Sequence, residues 1–226
     1  MLLALDTATA TASLALYDLT RDTLVAEWTW QARRRHTQDL LGAAQTLLHQ
    51  AGATPAALTA LAVTTGPGSF TGVRIGISTV KGMALGLATP PAVIGRPTLS
   101  VTAAPWVTPA AQCGAEVCAC IQAGRGRFNW AFLSPEQLQP TVADHHAGTV
   151  DDFVHALGAH GGDVWLVGEL TDELATRAAT CAHVTVIDAA AGLRRSSALA
   201  RLAAAELRAG RSDDLAALQP VYLRAP

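Results

Sequence analysis

The stretch TTGPGSFTGVRIG, Thr64 to Gly76, carries the densest chemical information in the chain. Its loop, Gly66-Pro67-Gly68-Ser69, follows an apolar run and precedes a helix-like pattern. Backbone N–H groups at such a helix N-terminus suit an anion, because they are unsatisfied and the helix dipole favours negative charge. The loop lacks the G-K-[ST] ending of a Walker A motif and the G-x-G-x-x-G spacing of a dinucleotide fingerprint. Upstream, Asp6 ends a short apolar run and is followed by Thr7 and Thr9. A carboxylate and hydroxyls at a strand end can hold Mg-phosphate, or Asp6 can simply cap the turn; both readings stand at this point. Asp6, Thr7, Gly66, Gly68 and Ser69 are therefore the candidate phosphate loop.

Other constellations offer less. His145, His146, His155 and His160 never reach the H-x-x-x-H or H-E-x-x-H spacing that puts two imidazoles on one helical face. Ser69 does not sit in the G-x-S-x-G elbow of a hydrolase. Cys113, Cys118, Cys120 and Cys181 form no C-x-x-C pair, and Cys118 and Cys120 alternate along a strand as buried thiols would. No metal site is expected. Arg33-Arg34-Arg35 before His36, and Arg194-Arg195, are local basic knots, read as solvated loops or as RNA or partner contacts.

These residues need elements to position them. Leu2–Leu5 reads as a strand, Leu14 and Leu16 alternate on a second, and LVAEWTW gives a third ending near Trp30. Leu40, Leu41, Ala44, Leu47, Leu48 and Ala51 fall on one helical stripe, with Thr37 as N-cap and Gly52 as stop. ALAVTT forms a buried strand that runs into the glycine loop. A helix then starts near Phe70 or Thr71. Val73, Ile77, Val80, Ala84 and Leu87 share one side, and Gly72, Ile75, Gly76, Thr79, Met83 and Gly86 another. Glycine costs about 1 kcal/mol relative to alanine inside a helix, so Gly72, Gly76, Gly82 and Gly86 together need a packing reason. A closely approaching backbone supplies one, either within the subunit or from a second protein; both remain open from the residues alone. VCACIQAGRGRFNWAFL repeats the opening strand–turn–strand theme, with Gln122 at the place of Asp6. Helices at Asp151–Leu157, Asp172–Ala179 and Ser197–Arg208, with strands VWLVG and VTVID, complete an α/β pattern.

The totals exclude several function classes. Of 226 residues, 50% are hydrophobic and 15% charged, which argues for a packed core and against disorder. A formal charge of −2, with Lys81 the single lysine, gives no global attraction to nucleic acid or anionic membranes. The start lacks a basic n-region and no apolar segment approaches a membrane span, so the expected location is cytoplasmic.

Taken together, ALDTAT, RRHTQ, TTGPGSFTGVRIGIS, GMALGLA and the terminal PVYLR resemble the TsaB family of bacterial tRNA threonylcarbamoyladenosine biosynthesis proteins. The resemblance is densest from Met1 to about Leu99 and returns at the last residues. It implies an α/β fold of two RNase H-like lobes, of the actin/Hsp70/sugar-kinase superfamily. The lobes would be 1–100, carrying the pairing helices, and a smaller, diverged 101–226 whose C-terminal segment packs back on the first. It implies a non-catalytic partner of a homologous catalytic subunit, TsaD, in transferring threonylcarbamoyl to the adenosine 3′ of the anticodon in tRNAs reading A-starting codons. The complex would include a TsaE-type ATPase and meet tRNA through its partners. ATP or ADP and metal are expected on those subunits, with no cofactor held here, and the free chain can self-pair. The implied interface is Thr37, Leu40, Leu41, Gly72, Gly76, Thr79 and Met83, and the loop at Asp6 and Gly66–Ser69 becomes a vestigial nucleotide site. Gln122 and Gly124 depart from the family's acidic and arginine pattern. The alternative is a stand-alone ATP-dependent kinase or metallohydrolase of the same superfamily, against which the missing H-x-x-x-H and second-lobe aspartate weigh.

Overall fold

The structure, a computed structural model, describes residues 1–32 and 35–223. Arg33 and Arg34 of the basic knot, and Arg224 of PVYLR, lie outside the described residues. The chain divides into two units, one of Met1–Thr98 with Arg195–Val221 and one built on Leu99–Arg194.

In the first unit, β1 (Leu2–Asp6), β2 (Thr11–Asp18) and β3 (Thr23–Gln31) form an antiparallel meander. The helix α1 (His36–Gln50) leads to β4 (Ala60–Thr64), which pairs parallel to β1. A second helix, α2 (Phe70–Gly86), leads to β5 (Ala92–Arg96), parallel to β4. The strand order is β3-β2-β1-β4-β5. LLALD and ALAVT are buried at every position, as central strands covered on both faces must be. Leu5, Leu14, Leu16 and Val63 of the sheet meet Leu40, Leu47, Ile77 and Val80 of the helices in one core.

In the second unit, α3 (Thr98–Ala103) and α4 (Val107–Gln112) precede β6 (Glu116–Gly124), β7 (Arg127–Leu133) and β8 (His146–Thr149). Then follow α5 (Val150–Gly158), β9 (Val164–Gly168), α6 (Asp172–Ala178) and β10 (Val184–Val186). The order β10-β9-β6-β7-β8 wires five strands as the first unit does. Cys118 and Cys120 pack with Phe128, Trp130 and Phe153, and burial pushes both thiols up. The other face carries Val117, Ala119 and Ile121 against Leu99 and Val107.

The chain then returns to the first unit as α7 (Ser196–Arg208). Its first amides donate to Ser13 Oγ (2.9 Å) and Glu27 Oε1 (2.7 Å), a carboxylate at a helix N-terminus where the dipole favours it. Residues 213–221 cover the free edge of β5. Asp213 N–H donates to Val93 O, Gly95 N–H donates to Asp213 Oδ2, and Val221 N–H donates to Thr65 O. Leu218, 7% exposed, anchors this segment in the core. Beneath it the Arg96 guanidinium pairs with Glu206 at 3.0 Å and lies 3.7 Å from Asp213.

Helix α2 is seated more tightly than periodicity suggests. A Cβ on Gly72 would strike the carbonyl oxygen of Thr7, and one on Gly76 would lie 2.6 Å from Thr7 Oγ1 and 3.1 Å from Val63 Cγ2. Thr7 Oγ1 donates to Gly72 O at 2.8 Å. The expectation that Gly72 and Gly76 face a second protein is thus corrected: both are buried against the β1–β2 turn of their own unit. At 100° per residue they flank the Val73–Val80 stripe rather than oppose it. The start of α1 also differs from expectation. Arg35, not Thr37, is the N-cap and makes no side-chain cap bond; buried His36 instead fixes the first turn, its Nε2 2.9 Å from Thr9 O.

Gly76→Leu is expected to lose stability by ~1–3 kcal/mol or more through overpacking. Thermal unfolding checks this, and an unchanged Tm would remove the intrasubunit role given to Gly76. A second expectation concerns Glu206. A hydrogen bond from Arg211, with the charge of Arg96, holds its carboxyl below its ordinary 4.5. A depressed folded value means the stabilisation is present above pH 4.5 and is lost as pH falls through the lower value. Glu206→Gln should therefore be less stable than the parent near pH 7. The gap should shrink steadily in acid, as urea titrations across pH would show.

Candidate functional site

The strand end and the glycine loop come together as the sequence suggests, but their polar groups face each other. Asp6, 1% exposed, accepts through Oδ1 from Ala8 N–H (2.9 Å) and from Thr64 Oγ1 (2.9 Å). It closes its own turn and ties β1 to β4. Thr7, fully buried, is engaged with Gly72. The Ser69 N–H is taken by Ala8 O at 2.6 Å, and Ser69 Oγ caps the Gly72 N–H at 3.2 Å. A Cβ on Gly68 would strike Ala8 O. Gly66 has φ +105°, and its missing Cβ makes room for Val221 O. The five residues of the phosphate loop are adjacent, and the glycines serve close backbone packing of turn, loop and C-terminal segment.

The helix residues separate into two groups. Leu40 is 1% exposed and belongs to the core, so its expected place on an interface is corrected. Leu40 lies at the centre of the α1 stripe, where side chains point at the sheet. Thr37 and Leu41 lie at one margin of that stripe, and Asp39 and Ala43 at the other. Asp39 and Ala43 border β3, so Thr37 and Leu41 lie on the margin toward α2, which touches α1. On α2, Thr79 and Met83 are half-buried along the margin beside Gly72 and Gly76. Sequence reasoning missed two residues here. Phe70 (56% exposed) and Leu85 (80%) lie on the side of α2 that carries Lys81, away from the Thr79–Met83 margin, and Arg74 stacks its guanidinium 3.8 Å above the Phe70 ring. The signal that could have found Phe70 and Leu85 was their place on the polar side of α2, next to Arg74, Ser78 and Lys81.

In the second unit, Gln122 is exposed and its N–H donates to Glu169 Oε2 at 3.3 Å. Glu169, at the end of β9, also meets Arg194 at 3.4 Å. Gly124, at φ +78°, shapes the β6–β7 turn. The histidines serve packing: His160 stacks on Phe132 and pairs with Glu116, and His146 stacks on Trp130. Among the described residues, no group of three or more His, Cys, Asp or Glu is placed to hold a metal ion. No helix among them is long and apolar enough to cross a membrane.

Comparison with known proteins places this geometry. Residues 30–224 match the family model described as TsaD, tRNA N6-adenosine threonylcarbamoyltransferase. The chain is 40% identical over 131 residues to the tRNA threonylcarbamoyladenosine biosynthesis protein TsaB of Escherichia coli (strain K12). That stretch covers 58% of this chain and 53% of the relative, so the match spans about half the relative's length. Over nearly the full length, the fold superposes on YeaZ from Pseudomonas aeruginosa with a TM-score of 0.71 at 26% identity, covering 98% of this chain and 99% of that one. The ethanolamine utilization protein EutJ from Carboxydothermus hydrogenoformans shares the fold alone (TM-score 0.51, 11% identity, 87% and 88% covered). The two-unit α/β architecture is shared with the solved YeaZ structure, the similar curated relative carries the name TsaB, and the chain belongs to the family of the matching model, tRNA N6-adenosine threonylcarbamoyltransferase.

Proposed function

We propose that this protein is a non-catalytic partner of a TsaD-type catalytic subunit, and that it pairs through the outer surface of α1 and α2. The observation that carries the reading is the contrast between the two sides of α2. Its inner side is locked onto Thr7, while its outer side leaves Phe70 and Leu85 more than half exposed, with Leu41 of α1 52% exposed. Large apolar side chains exposed on one layer are the material of an interface centre. Thr37, Leu41, Thr79 and Met83 remain in the proposed interface, and Phe70 and Leu85 extend it around the exposed side of α2 to the helix's opposite margin. Gly72 and Gly76 support it from behind.

The same reading assigns the chemistry elsewhere. A phosphoryl or acyl transfer site needs groups that can turn toward substrate. Here Asp6, Thr7 and the Ser69 N–H are turned toward the protein's own backbone. Nucleotide and metal belong, in this proposal, to the TsaD-type subunit and a TsaE-type ATPase, and tRNA is met through the complex. The shared product is threonylcarbamoyladenosine 3′ of the anticodon in tRNAs reading A-starting codons. In the absence of the catalytic subunit, the same apolar surface pairs two copies of this chain. The protein works in the cytoplasm, where tRNA is modified.

Reconstitution tests this. The catalytic subunit, the ATPase, threonylcarbamoyl-adenylate and tRNA are combined with and without this protein, and modified adenosine is quantified by mass spectrometry. Modification should require the wild-type chain. Leu85→Asp should keep its Tm but bind the catalytic subunit at least about tenfold more weakly, the equivalent of ~1.4 kcal/mol. Equal modification without the protein would end the partner reading. Normal pairing by Leu85→Asp together with Phe70→Asp would move the interface elsewhere.

A further inference from the structure

A groove of about 500 Å³ lies between β3 and α1, lined by Glu27, Trp28, Thr29, Trp30, Asp39 and Ala43. β3 is the outer strand of its sheet and, among the described residues, pairs with β2 alone, so alternate backbone groups along its other side have no strand partner there. Four consecutive strand residues line the groove. Consecutive side chains point to opposite faces, so the groove follows the strand's free edge rather than one face of the sheet. Asp39 and Ala43, one helical turn apart, form the opposing wall.

The chemistry of the lining is selective. Trp28 and Trp30 lie on one face at ~6.6 Å along the strand and are only partly covered. Both ionisable residues in the lining are carboxylates. Glu27 uses Oε1 for the Ser197 N–H, and Asp39 uses Oδ1 for Arg35. Among the described residues neither has a bond to its second oxygen. Indole faces attract cations, guanidinium above all, and a carboxylate beside them adds a directed acceptor.

We infer that the β3 edge, with the Trp28–Trp30–Asp39 groove, binds an extended protein segment carrying an arginine side chain. The segment adds a strand to the sheet and its guanidinium enters the groove over the indoles toward Asp39, while Glu27, on the opposite face, stays with the α7 N-terminus. Backbone pairing supplies affinity and the groove supplies the choice of side chain. This surface uses β3 and the far margin of α1, so it can be occupied while Leu41, Phe70 and Leu85 are engaged.

The probe is the tripeptide Ac-Val-Arg-Val-NH2, titrated into the full chain while the indole N–H resonances of Trp28 and Trp30 are followed by NMR. These resonances are assigned with Trp28→Phe and Trp30→Phe. The arginine peptide should shift both resonances saturably, and the citrulline analogue, of the same shape without charge, should bind roughly tenfold more weakly. Asp39→Asn, with its fold verified by the unshifted remaining resonances, should weaken the arginine peptide and leave the citrulline peptide unchanged. Equal binding of the two peptides would overturn the charge-selective groove, and so would no response at ~10 mM peptide. Shifts produced by a uridine oligonucleotide but not by the arginine peptide would overturn it in favour of a nucleic-acid platform.

Discussion

The contact between Thr7 and α2 is the constraint on which the rest of the first unit depends. Thr7 sits at the turn between β1, buried throughout, and β2, buried along all but its ends, and its carbonyl and hydroxyl oxygens meet the helix at Gly72 and Gly76. No side chain of the helix intervenes at Gly72 and Gly76, so its backbone approaches the turn closely. That approach fixes where α2 runs, closes the Gly66–Ser69 loop over the Ala8 carbonyl, and leaves Val221 to rest on Gly66. The outer face of α2 is then presented at a set height beside α1. A rigid inner contact is what allows an exposed outer face to serve as a preorganised surface.

The motif that looks like a phosphate cradle is thereby given a structural reason. Glycines and small hydroxyls serve phosphate loops because they let a ligand approach backbone N–H groups. The same residue types serve equally when the approaching group is the chain's own carbonyl. In this protein Ala8 O occupies the hydrogen-bonding role of a ligand oxygen, and Asp6 is drawn inward by Ala8 N–H and Thr64.

How much of this was legible in the sequence depended on periodicity. The strands at Leu2, Thr11 and Ala60, the long helices and the repeated hairpin could be read because an unbroken apolar run, an alternation or a helical stripe marks each. β5, β8, α3 and α4 were not read, since each is short and its apolar residues are interrupted by glycine, proline or polar residues or carry no clear period. The two glycines of α2 could be recognised as packing sites, but which neighbour they packed against could not. That neighbour, Thr7, is about sixty-five residues away, and a pairing at such separation leaves no local trace. Leu40 and Leu41 show the same limit. Adjacent residues of one stripe differ by 100° in direction, and only the placement of the sheet decides that one is core and the other surface.

The account's central claim is that the outer surface of α1 and α2 is the pairing surface proposed for a TsaD-type subunit. Hydroxyl-radical footprinting of this chain, alone and mixed with that subunit, tests it most directly. The account expects strong protection of Leu41, Phe70, Met83 and Leu85 on mixing, with Val142 in the second unit unchanged. Equal oxidation of those four side chains in the presence of a subunit shown to be bound would contradict it.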